Sequence, residues 1–585
     1  MRRSGFSQLL LVLLLPLLHC APAAAAGRPW RTLETPRYQV LSQLTDQETT
    51  RWSSEFDQFI ATMTDLLRID PGSLPPLRVI LFSGDKEFNP YKPARPDGRT
   101  ANVSGIFARN PTWSVIGLVS DSRGDVLRQT IFHEATHWLM SADEGRQPAW
   151  FSEGIAELLS TFEQKGKEVS WAKALTRHLS TLDQVGVTPL REFLATPRAI
   201  FNRDDHTENF YAQSWAFTHF LLFSGDPARA ALASRFIETF KTNSGEATVD
   251  AVFGAQLPGL EKAFKSYVAQ AAFSYRAQPA RPVPAPLPAQ AASPAQIESA
   301  LGFLAMGAGR DELARRHASK AIELDAATAA GHEILAYLAA QARSQEEVKQ
   351  HAEAALRNGS KDSEMFLLMG NTFIGAQGGN QSRPDADRQR ANLYASSIKL
   401  NPRRLASYER LTEAIFGVKD PTEEDGRLLA LGMRAYPGED WIRVGSAVVE
   451  YRLGRRAPAR EAMGKAMRPG STLDDKQRAF ADQLQRGWVF DTMNDEIRDA
   501  VGRRDLIAAR AAYDKYRGAI AGDPRGDTVL QQINADLTRR ELTEVLTNAM
   551  RANKPADVRA AAEKLLVLPD LPPAMRTDLE KLRAQ

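Results

Sequence analysis

Cysteine is almost missing from this chain. Cys20 is the only one in 585 residues. It lies inside an N-terminal stretch built like a removable leader. Arg2 and Arg3 supply a charged start, Leu9 to Leu18 a short apolar core, and Ala23 to Ala26 an A-x-A cleavage site before Gly27. Cleavage after Ala26 leaves no cysteine, which excludes disulfides, thiolate ligands and thiol nucleophiles. A lipid anchor on Cys20 is not expected, because His19 precedes it where a small residue is needed. The expected compartment is periplasmic or secreted.

Charge of one sign is lacking too. The formal net charge is +3, and two of those charges, Arg2 and Arg3, leave with the leader. The remainder gives no electrostatic case for nucleic acid. Beyond the leader no apolar run reaches the length of a bilayer span, so no transmembrane helix is expected in the mature chain. Some 560 remaining residues are too many for one core, so two or more domains are expected.

Histidine is scarce as well, nine in all, which makes one arrangement of it informative. His133-Glu134-Ala135-Thr136-His137 reads H-E-x-x-H. On a helix the two histidines sit at i and i+4, so both rings leave one face and can hold one metal ion. Glu134 lies one step round, where it can take a proton from a water at the metal's open position. Asp125 to Phe132 before the motif and Trp138-Leu139-Met140 after it supply an apolar helix face. Asp125 is placed to cap that helix, and Gly124 stops a preceding strand.

A catalytic zinc site usually has three protein ligands. The third is sought in Pro148 to Glu157, PAWFSEGIAE, read as the start of a second helix. Glu153 and Glu157 again stand at i and i+4. Two acids on an apolar helix repel and are costly to bury, and a cation between them and the histidines removes the conflict. One carboxylate can ligate the metal, and the other can accept the free ring N–H of a ligating histidine. The bland alternative is a solvated acidic stripe.

HEATHWLM followed by WFSEGIAEL resembles the peptidase-MA-like domain of the gluzincin metallopeptidases, distant relatives of the M1-type aminopeptidases. The resemblance spans roughly residues 30 to 275 and is specific only at these two segments. It implies that His133, His137 and Glu153 bind Zn2+, that Glu134 is the general base, and that Glu157 supports His133 from behind. Ser152 stands where the aminopeptidases have Asn, and their amine-binding G-x-M-E-N segment is absent upstream. In related peptidases a tyrosine at the head of a later helix stabilises the oxyanion. By that likeness Tyr211, in Glu208 to Leu222, is the candidate here, with His206 a weaker one; the alternative is a core tyrosine with one hydrogen bond.

The rest of the first half reads as scaffold. Tyr38–Ser42 and Leu77–Phe82 are expected strands, with a helix from Asp46 to Leu67 between them. Val103–Ala108 and Trp113–Val119 are expected strands joined by a turn at Asn110-Pro111-Thr112. Such a hairpin can offer an edge to an extended peptide, or can be an ordinary hairpin with no ligand. Phe88 to Gly98 reads as a surface loop. Trp171 to Leu182 is an expected helix carrying His178, a lone histidine read as an ordinary surface or core residue, and Leu257 to Tyr275 is a closing helix.

Residues 276–296 are rich in Pro and Ala and read as a semi-rigid spacer. Beyond it, helix ends recur at Ala321–Asp325, Ala354–Asn358, Ser397–Pro402, Met433–Pro437 and Ala466–Pro469, a spacing that resembles tetratricopeptide repeats, degenerating after 470. The expected fold is an α+β zincin-like metallopeptidase domain followed by an all-α tetratricopeptide-type solenoid. Its divisions are a signal peptide at 1–26, a peptidase domain at 27–275, a linker at 276–296 and repeats at 297–585. The leading expectation is a zinc-dependent peptidase with a peptide or protein substrate and a protein partner on the array. The alternative is an inactive periplasmic scaffold or assembly factor acting through the repeats. A second peptidase family pairs H-E-x-x-H with such repeats, but WFSEGIAEL fits its third-ligand segment poorly.

Overall fold

Leu77–Phe82 and Trp113–Val119 are apolar nearly throughout, a pattern suited to strands buried on both faces. The computed structural model describes residues 28–94, 100–101, 103–120, 125–141, 147–197, 204–375, 384–522, 524–569 and 571–584. The N-terminal segment expected to be a leader, with Cys20, lies outside the described residues, as do the side chains of Asp125 and His206. The chain forms two compact units, one of residues up to 379 with 399–403, the other of 380–398 and 404–585.

The first unit is built on a six-stranded sheet. In chain order its early elements are β1 (Arg31–Glu34), β2 (Tyr38–Ser42), α1 (Asp46–Leu66), β3 (Leu77–Phe82), α2 (Asp85–Phe88), β4 (Gly105–Asn110) and β5 (Trp113–Val119). Thr45 starts α1 with a reciprocal capping box to Glu48. Strands β2, β3 and β5 are parallel, and β4 folds back antiparallel on β5 with Asn110 opposite Trp113. Among the described strands β4 forms one edge of the sheet.

The helices follow: α3 (Asp125–Met140), α4 (Ala149–Ser160), α5 (Thr176–Val185), α6 (Leu190–Ala195), α7 (Asp204–Phe223), α8 (Pro227–Phe240), α9 (Gly245–Val252) and α10 (Leu257–Gln270). Between α4 and α5 run β6 (Glu163–Lys165) and β7 (Glu168–Trp171). The helix expected from Trp171 therefore starts later, at Thr176. Trp171 is the last residue of β7, where it pairs with Arg276.

The segment 276–296 is stitched into the unit rather than forming a free spacer. Its first residues form β8 (Arg276–Pro279) on β7, and Gln290–Ala291 form β9 on β1. Proline keeps such a segment extended, and extended backbone can pair at a sheet edge. Helices α11 (Pro294–Gly307), α12 (Asp311–Leu324), α13 (Ala329–Gln341), α14 (Gln345–Arg357) and α15 (Ser363–Gly375) then belong to the same unit. The boundary expected at 276–296 is thus not where the compact unit ends.

The two faces of the sheet explain this. Leu77, Val79, Leu81, Ile116 and Leu118 point into one core with Phe56, Phe59 and Phe132. Leu41, Ile80, Phe82, Trp113 and Val115 point into a second core with Phe303, Leu304 and Ile334 of α11 and α13. The first repeat helices cover what would otherwise be a bare apolar face. A side-chain carbon added at Gly117 would lie 2.6 Å from Leu304, and one at Gly307 would lie 2.7 Å from Ala108. Glycine at both positions permits this close helix-on-strand approach.

The second unit is all-α: α16 (Pro384–Leu400), α17 (Leu405–Gly417), α18 (Glu423–Ala435), α19 (Asp440–Arg452), α20 (Arg456–Ala466), α21 (Asp475–Gly502), α22 (Leu506–Ile520), α23 (Pro524–Arg551), α24 (Pro555–Leu566) and α25 (Pro573–Ala584). Successive helices pack in pairs, such as α19 on α20 and α21 on α22. Helices α17 to α19 have 13 residues each, whereas α21 and α23 have 28, so the regular repeat lapses where its sequence signal does. No described helix is long and apolar enough to cross a membrane.

Candidate functional site

Helices α3 and α4 pack directly on each other, and four of the singled-out side chains meet between them. His133 and His137 are half-buried on α3, and Glu153 and Glu157 are buried on α4. Eleven of the 12 residues of α4 are buried, which rules out a solvated acidic stripe. A helix buried all round must pack closely, and Gly154 shows how. A side-chain carbon there would lie 2.3 Å from the Ser214 carbonyl oxygen of α7. The glycine after Glu153 lets α7 cross α4 at contact distance.

The donor atoms form a compact triangle. His133 Nε2 and His137 Nε2 are 3.2 Å apart, and each lies 3.4 Å from Glu153 Oε2. Donors at the corners of a tetrahedron with metal–ligand bonds of about 2.0–2.1 Å are separated by about 3.3–3.4 Å. Glu153 Oε2 is buried and accepts no hydrogen bond within the protein. Its polar neighbours are the two imidazole nitrogens at 3.4 Å, so a protonated ring or a cation shared by all three groups would answer its charge. Among the described residues this is the one group of three or more His, Cys, Asp and Glu side chains close enough to share a metal ion.

Behind the triangle, His133 Nδ1 lies 3.2 Å from Glu157 Oε1. Glu157 Oε2 accepts from Arg177 Nη2 at 2.7 Å and sits 2.9 Å from His178 Nε2. His137 Nδ1 is 3.4 Å from the Ser152 hydroxyl. The ring of Phe107, on edge strand β4, stacks against His137 with centroids 6.4 Å apart.

The charges are strongly coupled. Burial pulls the His133 imidazole down, but its contacts with Glu153 and Glu157 outweigh this and raise it well above the ordinary histidine range. Burial pushes the Glu153 carboxyl up, yet the two imidazoles hold it far below the usual carboxylate range. Burial likewise opposes the ionisation of Glu157, and the bonds from His133 and His178 outweigh it. Glu134 behaves differently: desolvation raises it.

Tyr211 does not stand at the head of its helix. α7 begins at Asp204, two turns earlier, so the phenol projects from the helix body, with its ring centroid 6.0 Å from that of His133. His178 is a core residue, one of the two places expected for it, and it adds no corner to the donor triangle. It is not an isolated ring but a buried partner of Glu157. Arg177 joins it on Glu157, although no motif in the sequence marks it. Both reach Glu157 across the β6–β7 hairpin, a separation of 20 and 21 residues that no short motif records.

No family model matches the chain, and no curated protein matches it. Solved structures do match in part. YrrB, described as a TPR protein with an unusual peptide-binding site, is 17% identical over 32% of this chain and 90% of its own, with a TM-score of 0.26. MamA is 14% identical over 30% and 90%, with a TM-score of 0.23. PilF of Pseudomonas aeruginosa is 16% identical over 41% and 97%, with a TM-score of 0.23.

Proposed function

We propose that the chain is a zinc-dependent peptidase that acts outside the cytoplasm and carries a helical-repeat array for a protein substrate or partner. The observation that carries the reading is the donor triangle, with separations suited to a tetrahedral site and a buried Glu153 oxygen that lacks a hydrogen bond. His133, His137 and Glu153 would hold the metal. When bound, zinc would supply Lewis acidity toward a water and the scissile carbonyl.

The remaining steps belong to the chain's own side chains. Glu134 takes a proton from the attacking water and returns it to the leaving amine. Glu157 orients His133 by accepting its Nδ1–H. Tyr211, close to His133, donates a hydrogen bond to the developing oxyanion. Strand β4 lies beside α3 and ends the sheet, so an extended peptide would add to it through backbone bonds. Both features suit an endopeptidase of zincin-like fold.

The second reading is a scaffold that acts through its repeats, with the histidine–glutamate cluster a structural remnant. The second unit, built wholly of paired helices among its described residues, favours it. Metal content separates the two. Elemental mass spectrometry of the purified chain is expected to find about one zinc per molecule, reduced in Glu153→Ala. A chain that takes up no zinc when zinc is supplied would leave the scaffold reading standing.

A further inference from the structure

Glu157 is held more firmly than a lone partner of His133 needs to be. Its Oε1 faces His133 Nδ1, which leaves His133 Nε2 turned toward His137 and Glu153. Its Oε2 meets two further donors, His178 Nε2 at 2.9 Å and Arg177 Nη2 at 2.7 Å. Both come from the first turn of α5, which packs on α7. The His178 ring is buried and lies against Trp215, with centroids 5.7 Å apart. Packing alone gives no reason for a polar ring there, since an apolar residue would fill the space without needing a partner.

We propose that His178 and Arg177 are positioning residues of the metal centre, clamping Glu157 so that it fixes the orientation and tautomer of His133. This rests on the reading that His133, His137 and Glu153 hold a metal. The line of contacts runs from α5 through α4 to α3, and each link is a hydrogen bond or ion pair. With Oε2 occupied, the carboxylate cannot turn about its last bond without losing two donors. Oε1 therefore stays on Nδ1, and Nε2 keeps its lone pair toward the cation. The two clamps are unequal. The side chain of Arg177 is 55% exposed, so water screens its pair, whereas His178 and Glu157 are both buried. His178 carries the larger share.

Zinc affinity of the full chain, measured by competition with a chromophoric chelator, tests the clamp. The set is wild type, His178→Phe, His178→Gln and Arg177→Ala. Phenylalanine keeps the ring without a donor, and glutamine keeps an N–H donor at a similar reach. His178→Phe is expected to bind zinc about 10- to 100-fold more weakly, with His178→Gln recovering most of the loss. Arg177→Ala is expected to show a smaller loss. Cobalt substituted for zinc is expected to give an altered visible spectrum in His178→Phe and a near-wild-type one in His178→Gln. Wild-type affinity in His178→Phe, or equal weakness in the Phe and Gln variants, overturns the clamp and leaves the metal site itself intact. Should His178→Phe not fold, Arg177→Ala decides, and undiminished zinc affinity there overturns the proposal. A wild-type chain that binds no zinc removes the metal centre, and the clamp with it.

Discussion

Glu134 is the residue on which hydrolysis turns in the proposed mechanism. It belongs to the same helix as the two histidines but contributes no corner to the donor triangle. Its replacement by alanine is expected to leave zinc binding near the wild-type level. Turnover of an unfolded protein substrate is expected to fall about 10²- to 10⁴-fold. Equal turnover by wild type and Glu134→Ala, assayed at matched zinc content, would rule out Glu134 as the base. Gly154 tests the packing behind the site. Its α-carbon faces backbone and the Thr218 hydroxyl of α7, so an added methyl has no room. Gly154→Ala is expected to cost about 1–3 kcal/mol of stability in denaturant titration, because the neighbour that must yield is main chain. It is also expected to weaken zinc binding by shifting α4. A variant as stable as wild type would mean that the α4–α7 crossing relaxes freely.

Among the elements, α13 is tied to the sheet and to α15 by one polar cluster. Tyr337 on α13 shares hydrogen bonds with Thr112 of the β4–β5 turn and with Asp362, just before α15, each at 2.5 Å. Burial pushes the Asp362 carboxyl up from 3.8 to about 6. The folded chain therefore holds this proton more tightly than the unfolded chain does. The stability it contributes is complete below the unfolded value and is lost as pH rises through about 6, at most about 3 kcal/mol. Asp362→Asn carries no titrating proton. Its loss of stability between about pH 4.5 and pH 7 is expected to be smaller than that of wild type, as read from urea midpoints. Identical differences in the two proteins would show that water reaches the carboxyl.

For the whole molecule, the second face of the sheet decides where the first unit can be cut. Leu41, Ile80, Phe82, Trp113 and Val115 are buried there together with residues of α11 and α13. Baring five such side chains forfeits on the order of 10 kcal/mol, comparable to the whole stability of an ordinary domain. A chain ending at 291, before α11, is expected to aggregate or lose cooperative unfolding. A chain ending at 379 is expected to stay folded. Size-exclusion chromatography and thermal melts compare the two. A monomeric, cooperatively melting 28–291 fragment would return the boundary to the Pro- and Ala-rich segment.

Much of this was local and therefore legible. Helix periodicity marks α1 almost to the residue, and alternating or continuous apolar runs mark β2, β3 and β5. The i, i+4 spacing in HEATH and SEGIAE places each pair on one helix face, because a helix turn is a property of adjacent residues. What the residues could not decide alone was everything set by distant packing. Pro- and Ala-rich composition reads as a spacer, yet its ends pair with β7 and β1, because strand pairing depends on the edge that the fold presents. Tyr211 reads as a helix start, but the helix begins earlier. His178 reads as an ordinary histidine, because its partner lies 21 residues back across a hairpin. The spacing of side chains along one helix is written in sequence. Which helix comes to lie against another, and so which oxygen of Glu157 faces which nitrogen, is decided only when the cores on both faces of the sheet close.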